Sequence, residues 1–246
     1  MASCPPADTR GEQALGRTAL VRELGDFLGD PQSRRSWSLA GQDGCISTAG
    51  LLLGFSGAGV PQYTLLIAGT AAIVAGMLTA GGAKWAEAAA ERDAQLKALI
   101  AERHDVRHQR DAERAELAAF YEDKGLSPSL AARVASQLMV RAPLRAALEA
   151  EHGITRLLSR PAAVAAGVTS AIAYALGAIC PFLIAYYLPV DIEVWVITLA
   201  VVITLVLTSV IGARAGHMNV RRTLLRSLAV GGVTITVSYL VGQIAF

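Results

Sequence analysis

Four carboxylates near the middle of the chain have the residue type and spacing of a metal-binding face. These acidic residues are Glu102, Asp105, Glu113 and Glu116. Neither proline nor glycine occurs between Ala83 and Lys124, which predicts one long helix on which the four side chains share an arc of about 80°. The two i,i+3 pairs would lie about 16 Å apart, too far to share one ion. Each pair would then bind a divalent cation with further ligands, for which Glu149 and Glu151 are available.

A solvated acidic face is the alternative interpretation of these carboxylates. Four arginines lie on a neighbouring arc of the same predicted helix: Arg103, Arg107, Arg110 and Arg114. Like charges at i,i+3 lower helix stability unless a cation or such arginines neutralise them. His104 and His108 are spaced i,i+4 and could bind a transition metal, or they could form a solvated pair. No glutamate follows His104, as a zinc protease would require.

Asp43 is the only acid inside any of the long apolar stretches of the sequence. An ionisable residue within a membrane span indicates an ion path. The alternative is that residues 42–44 (QDG) cap a helix at the water interface. The sequence contains no P-loop, no Gly-x-Ser-x-Gly, no Cys-x-x-Cys and no evident catalytic triad, so we do not expect an enzyme.

The elements that carry these residues follow from an uneven distribution of charge. Of 246 residues, 53% are hydrophobic and 17% are charged, and the charges concentrate in residues 84–160. Five stretches are long enough to cross a bilayer: Trp37–Val60, Tyr63–Gly82, Ala162–Leu188, Val194–Ala213 and Leu224–Phe246. We therefore predict an all-α integral membrane protein with five transmembrane helices. A cytoplasmic three-helix metal-binding domain would be inserted between spans two and three.

The predicted domains and their orientation follow from the loops. The domains are an N-terminal arm (1–36), spans one and two (37–83), the helical metal-binding domain (84–160) and spans three to five (161–246). Arginines precede the first span and crowd the linker after the fourth: Arg34, Arg35, Arg214, Arg221, Arg222 and Arg226. The positive-inside rule then places the N-terminus and residues 84–160 in the cytoplasm and the C-terminus outside. We expect the inner or plasma membrane of a bacterium.

The net charge and the distribution of small residues indicate which binding partners to expect. The net charge of +2 is too small for a nucleic-acid footprint. The three cysteines are far apart and are interpreted as small hydrophobic residues. Glycines concentrate in the first two spans, including Gly50-x-x-x-Gly54, and small residues let helices approach closely in membranes. They indicate either packing within the bundle or a two-fold dimer interface around a pathway.

Residues 42–49 (QDGCISTA) are followed by residues 51–54 (LLLG) in the predicted first span. These residues resemble the Asn-Asp-Gly-Ile-Val-Ser-Thr signature of the vacuolar iron transporter family and its bacterial and nodulin-like relatives. Residues 111–126 (DAERAELAAFYEDKGL) are similar to its cytoplasmic helix and turn, and residues 137–139 (QLM) and 151–154 (EHGI) to later landmarks. The resemblance covers residues 37–246 in order.

The resemblance implies a dimer of five-span subunits that exchanges protons for divalent iron or manganese. By position it implies that metal binds at Asp43 in the membrane and at the four grouped carboxylates, with Glu151 as a further ligand. We expect export of Fe²⁺ or Mn²⁺ from the cytoplasm for metal homeostasis, with lipid and a second subunit as partners. The metal would be a transported substrate, and no resident cofactor is expected.

Two departures from the family pattern lie at the end of span two. Where many relatives have Ser-Met-Ala-x-Gly-Glu, residues 79–84 are TAGGAK. Ala80 therefore replaces a pathway methionine and Lys84 a glutamate at the mouth of the path. Met77, one turn earlier, could supply a soft ligand instead. The alternative function is thus a non-transporting member that binds or senses divalent metal at the membrane.

Overall fold

The computed structural model describes residues 31–188, 190–215 and 219–245. The predicted N-terminal arm therefore lies mostly outside the described residues. The described chain forms these helices: α1 (Pro31–Gly57), α2 (Gln62–His108), α3 (Arg110–Asp123), α4 (Pro128–Arg141), α5 (Pro143–His152), α6 (Arg160–Tyr187), α7 (Val190–Ala215) and α8 (Val220–Ala245). No strand occurs within those three ranges. The all-α prediction is confirmed.

The described residues divide into two compact units. The bundle unit contains the residues up to Ala86 and those from Val164 onward, and the insert unit is Glu87–Ala163. The division falls inside α2, a continuous helix of 47 residues. At about 1.5 Å per residue this helix is about 70 Å long, more than twice the hydrocarbon thickness of a bilayer. Only its apolar first half is therefore suited to a membrane.

Four helices of the described chain are long and apolar enough to cross a membrane. They are α2, α6, residues 194–211 of α7 and residues 220–244 of α8. Helix α1 has sufficient length, 27 residues, but it is not among the four. Its charges and its polar and small residues account for this. A multi-pass membrane protein is confirmed, while the fifth span stays a prediction.

The bundle unit has a hydrophobic core centred on α1. Helix α1 packs against both α7 and α8, which also pack against each other. The buried side chains of the core come from α1, α2, α6 and α7: Cys45, Ile46, Ala49, Leu52, Leu53, Leu65, Ala185, Ile197, Val201 and Leu205. Large apolar side chains elsewhere on the long helices point outward, as lipid-facing residues do: Ile67, Val74, Leu78, Leu176, Trp195, Leu199, Leu207, Leu225 and Val233.

Glycines allow α1 to cross α6 at very short range. A Cβ atom on Gly44 would overlap the backbone carbonyl of Tyr174, and one on Gly177 would overlap the carbonyl of Gly41. Gly50 and Gly54 similarly face Ser238 of α8. At these positions the small residues pack helices of one chain together. This agrees with the bundle-packing interpretation of the glycines.

In the insert unit, α3, α4 and α5 pack around a small apolar core. This cluster consists of Leu117, Ala135, Met139 and Ala146. Two glycines with positive φ end the helices, Gly125 (φ 94°) after α3 and Gly153 (φ 65°) after α5. Glycine adopts this left-handed conformation without a steric penalty. Glycine therefore ends both of these helices.

The predicted single helix from Ala83 to Lys124 is wrong, because the chain breaks at Gln109. This residue has φ −129° and ψ 41°, outside the helical region, and α3 begins at the next residue. The Arg110 guanidinium donates a hydrogen bond to the Met139 carbonyl oxygen of α4 (2.8 Å). Leu117 is buried in the core shared with α4 and α5. Tertiary packing of α3 therefore accompanies a break that neither proline nor glycine marks.

Candidate metal centre

Three helix ends of the insert unit bring acidic side chains and a histidine together. Glu102 lies near the end of α2, Glu113 in the first turn of α3, and Glu151 and His152 at the end of α5. Ligand atoms of Glu102, Glu151 and His152 lie within 4.8 Å of one another. The His152 Nε2 atom is 3.6 Å from Glu102 Oε2. We name these four residues the acidic cluster.

Glu102 is the most buried acid of the acidic cluster. The residue is 1% exposed, and within the described residues its Oε1 atom has no hydrogen-bond partner. Burial, together with the neighbouring Glu113 and Glu151 carboxyls, raises the pKa of Glu102 to about 8. Burial disfavours the charged form, and adjacent negative charge adds to that effect. Without a cation the Glu102 carboxyl is therefore mostly protonated at neutral pH.

Glu113 shares this environment with Glu102. It is 8% exposed, and burial raises its pKa, with an opposing effect of Glu102. The charges of Glu116, Glu151 and Asp105 raise the pKa further. Three other carboxylates are therefore close enough to act on Glu113 electrostatically. A divalent cation bound here would relieve the repulsion and favour the ionised forms.

The structure changes the predicted arrangement of the four carboxylates. On a continuous helix the Glu102 and Glu113 pairs would lie about 16 Å apart. The break at Gln109 instead places Glu113 beside Glu102. Asp105 is half-buried and Glu116 exposed, both at the margin of the cluster. The predicted wide separation of Glu102 from Glu113 is therefore wrong, whereas metal binding at these residues stays a prediction.

Arginine does not neutralise the four predicted carboxylates in the described part of the insert unit. The arginine ion pairs found there join Arg92 to Asp93 (3.5 Å) and Arg114 to Asp111 (3.4 Å). The guanidinium of Arg110 is engaged by the Met139 carbonyl. These contacts weaken the interpretation of the carboxylates as a face neutralised by arginines. Buried, mutually repelling acids are a common feature of functional sites.

The histidine that lies in the acidic cluster is His152, whereas the histidines considered from the sequence were His104 and His108. His104 and His108 are exposed and their rings stack at 4.2 Å. The Nδ1 atom of His108 lies 2.8 Å from the His104 carbonyl oxygen. These contacts agree with the solvated-pair interpretation. His152 was not among the candidate residues from the sequence, although a histidine directly after Glu151 was a visible sign.

The predicted membrane residues lie on α1 and α2 of the bundle unit. Asp43 is exposed on α1, and the Ser47 hydroxyl donates a hydrogen bond to its Oδ1 atom (3.3 Å). Helix α1 begins at Pro31 among the described residues, six residues before the predicted start. Met77 and Lys84 are half-buried on α2. Asp43 thus lies on a face of α1 that the described residues leave uncovered.

Long apolar helices and an insert with clustered carboxylates define a multi-pass membrane protein that carries a helical unit with a candidate metal centre. A sequence model described as the VIT family matches residues 35–243. The chain belongs to the VIT family, and the predicted resemblance is confirmed.

Named relatives cover most of the chain. The "Vacuolar iron transporter" of Acanthamoeba castellanii is 28% identical over 216 residues, which cover 87% of this chain and 79% of that protein. "Vacuolar iron transporter 1" of Tulipa gesneriana is 26% identical, covering 80% and 81%. "Vacuolar iron transporter 2" of Oryza sativa subsp. japonica is 30% identical, covering 60% of each chain. The similarity therefore includes the insert as well as the long helices.

Proposed function

We propose that this protein transports divalent metal ions, Fe²⁺ or Mn²⁺, across a membrane in exchange for protons. The observation that carries the proposal is the Glu102 carboxyl, which is buried, lacks a partner for Oε1 among the described residues and lies beside other acids. A divalent cation is the ligand that such a site favours. Relatives named vacuolar iron transporters support metal as the cargo.

The proposed metal route begins at the acidic cluster and continues along the membrane face of α1. Asp43 is exposed on this face, and an acid facing lipid costs about 2.5–3.5 kcal/mol on insertion scales. A hydrated path or a second subunit against α1 would remove that cost. This supports a homodimer in which Asp43 binds the passing ion. Met77 and Lys84 of α2 are the further pathway candidates.

The proposed topology has α1 as the fifth membrane span. Its residues Ala49, Leu52 and Leu53 are buried in the bundle core between α7 and α8. A helix so enclosed is expected to cross the bilayer with its neighbours even though its own composition is less apolar. With five spans, the N-terminus and the insert unit lie in the cytoplasm and the C-terminus outside. The metal would then be exported, in a bacterium across the inner membrane.

Proton exchange follows from the chemistry of carboxylates that bind either a proton or a metal. Because the pKa of Glu102 is about 8, a metal ion that binds at neutral pH must displace a proton. Asp43 offers one more carboxylate within the membrane. Metal ions and protons moving in opposite directions would bind the same carboxylates in turn. No resident cofactor is needed for such an exchange.

Metal binding or sensing without transport is the second candidate function. It rests on Ala80 and Lys84, which replace a methionine and a glutamate of the family pattern at the end of the second span. A lysine ammonium at the mouth of the path opposes cation entry. The acidic cluster would still bind metal in such a protein, and the bundle would serve as its anchor.

Metal flux into proteoliposomes under an imposed pH gradient distinguishes these two functions. We expect wild-type protein to move Fe²⁺ or Mn²⁺, with proton movement in the opposite direction. Asp43→Asn keeps the side-chain shape and removes the charge, so it should abolish flux and leave metal binding intact. Asp43→Glu is the matched control and should retain part of the flux. Flux through Asp43→Asn at the wild-type rate would refute the proposed route.

A further inference from the structure

His152 places a nitrogen atom among the carboxylate oxygens of the acidic cluster. It is the last residue of α5, directly after Glu151. Its side chain is 33% exposed and its Nε2 atom faces Glu102 Oε2 at 3.6 Å. The resemblance to the family assigned acids to the insert and left this position without a role. The proposed transport function likewise assigns His152 no role of its own within the acidic cluster.

The geometry fits a shared ion better than a direct hydrogen bond. A nitrogen–oxygen distance of 3.6 Å exceeds the usual hydrogen-bond range of about 2.7–3.2 Å. Two atoms at that distance can both lie about 2.1 Å from one metal ion, with an angle of about 120° at the ion. Glu151 offers a third ligand atom, and all three lie within 4.8 Å of one another. The same Glu102 carboxylate has its Oε1 buried without a partner in the described residues.

We infer that His152 is a metal ligand that makes the acidic cluster prefer borderline cations such as Fe²⁺ and Zn²⁺ over the harder Mn²⁺ and Mg²⁺. The inference rests on the proposed metal-binding function and adds the ligand that sets its selectivity. Imidazole nitrogen suits iron, zinc, cobalt and nickel, whereas sites of oxygen ligands alone suit magnesium, calcium and manganese. Divalent affinities also rise from manganese through iron in the usual order. One nitrogen ligand among the oxygen ligands increases the difference between the affinities for Fe²⁺ and Mn²⁺.

The position of His152 also suits a ligand that must exchange its ion. The side chain lies at a helix end directly before Gly153, the left-handed residue that ends α5. It is partly open to solvent, whereas Glu102 beneath it is buried. An ion entering from solvent would meet His152 and Glu151 before Glu102. His152, the ligand that sets the selectivity, would therefore contact the ion as it first enters the site.

Metal affinities of the full-length protein in detergent test this inference. Binding of Zn²⁺, Fe²⁺ under anaerobic conditions, and Mn²⁺ would be measured by competition with a fluorescent chelator. We expect H152Q to weaken Zn²⁺ and Fe²⁺ binding at least tenfold and Mn²⁺ binding less than threefold. H152E, which supplies an oxygen ligand instead, should bind Mn²⁺ at least as tightly as wild type. H108Q changes an exposed histidine of the same unit and should leave all three affinities unchanged.

Electron spin echo spectroscopy of bound Mn²⁺ gives an independent readout of the ligand. A ¹⁴N coupling is expected in wild type and H108Q, and it should be absent from H152Q. Equal losses for all metals in H152Q, unchanged affinities or an absent ¹⁴N coupling in wild type would overturn the role of His152 and leave the proposed transport function standing. If the wild type binds none of the three metals, the proposed function and this inference both fail.

Discussion

Replacing Glu102 by glutamine removes a titrating group from the most buried position of the acidic cluster and keeps its size. The pKa of this carboxyl rises from an ordinary value of 4.5 to about 8, chiefly through burial. Between these values the folded protein binds more protons than the unfolded chain. The free energy of unfolding therefore falls as the pH rises through this window. Fully ionised, the side chain lowers stability by about 5 kcal/mol at most.

Thermal unfolding of the metal-free protein measures this effect. In the presence of a chelator, we expect Glu102→Gln to unfold at a higher temperature than wild type at pH 8.5 and above. The advantage should shrink as the pH falls and vanish below about pH 4, where the wild-type carboxyl is protonated in both the folded and the unfolded state. Glu149→Gln changes an exposed acid of α5 and should follow the wild-type profile.

Added metal should narrow the difference in stability between the two proteins. An ion at one hundred times its dissociation constant stabilises the folded state by about 2.7 kcal/mol. Wild type should gain this stability, whereas Glu102→Gln should gain little because a principal ligand is missing. If Glu102→Gln and wild type showed parallel pH profiles, or equal stabilisation by metal, the assigned environment of Glu102 would be wrong.

Four further outcomes are expected. Calorimetry of metal binding at pH 7, in buffers of different ionisation enthalpy, should show that about one proton is released per metal ion. The number of released protons should decline toward zero above about pH 9. A heat of binding that does not depend on the buffer would contradict this. Gly44→Ala should lower the stability of the bundle unit by about 1–3 kcal/mol because the added Cβ would overlap the backbone of α6. Gly82→Ala is the control and should not lower it, since a Cβ there meets nothing within 4 Å. Equal unfolding temperatures for the two variants would refute the close crossing of α1 and α6. Lys84→Glu should increase metal flux at low metal concentration, most at low ionic strength, and a slower or salt-independent flux would remove its role at the mouth. External thiol labelling should reach a cysteine at residue 191 and miss one at residue 220, and the reverse pattern would refute the orientation.

The long helices could be predicted because their causes are local. Stretches of about 20 apolar residues and the glycines at positions 125 and 153 are visible in the sequence. The observed α6, α7 and α8 lie within a few residues of the predicted third to fifth spans. Helix α1 was harder to judge, since its buried side depends on contacts with α7 and α8 and its composition is mixed.

The arrangement of the metal centre could be predicted only in part because it depends on tertiary contacts. The types of the acids were visible in the sequence. Their closeness follows from the break at Gln109, which coincides with the packing of α3 on α4 and with the hydrogen bond from Arg110 to Met139. No local pattern marks that break. His152 joins the cluster for the same reason, since the end of α5 must first meet the end of α2.

The most direct test of the central claim is to locate a bound ion in the full-length protein. Crystals grown with Mn²⁺ or Fe²⁺ would be measured above and below the metal absorption edge. We predict an anomalous peak in the insert unit within about 2.3 Å of the Glu102 carboxylate, with Glu113 or Glu151 as further ligands. Bound metal whose peaks all lie away from Glu102, Glu113 and Glu151 would contradict the assignment of the acidic cluster as the metal site.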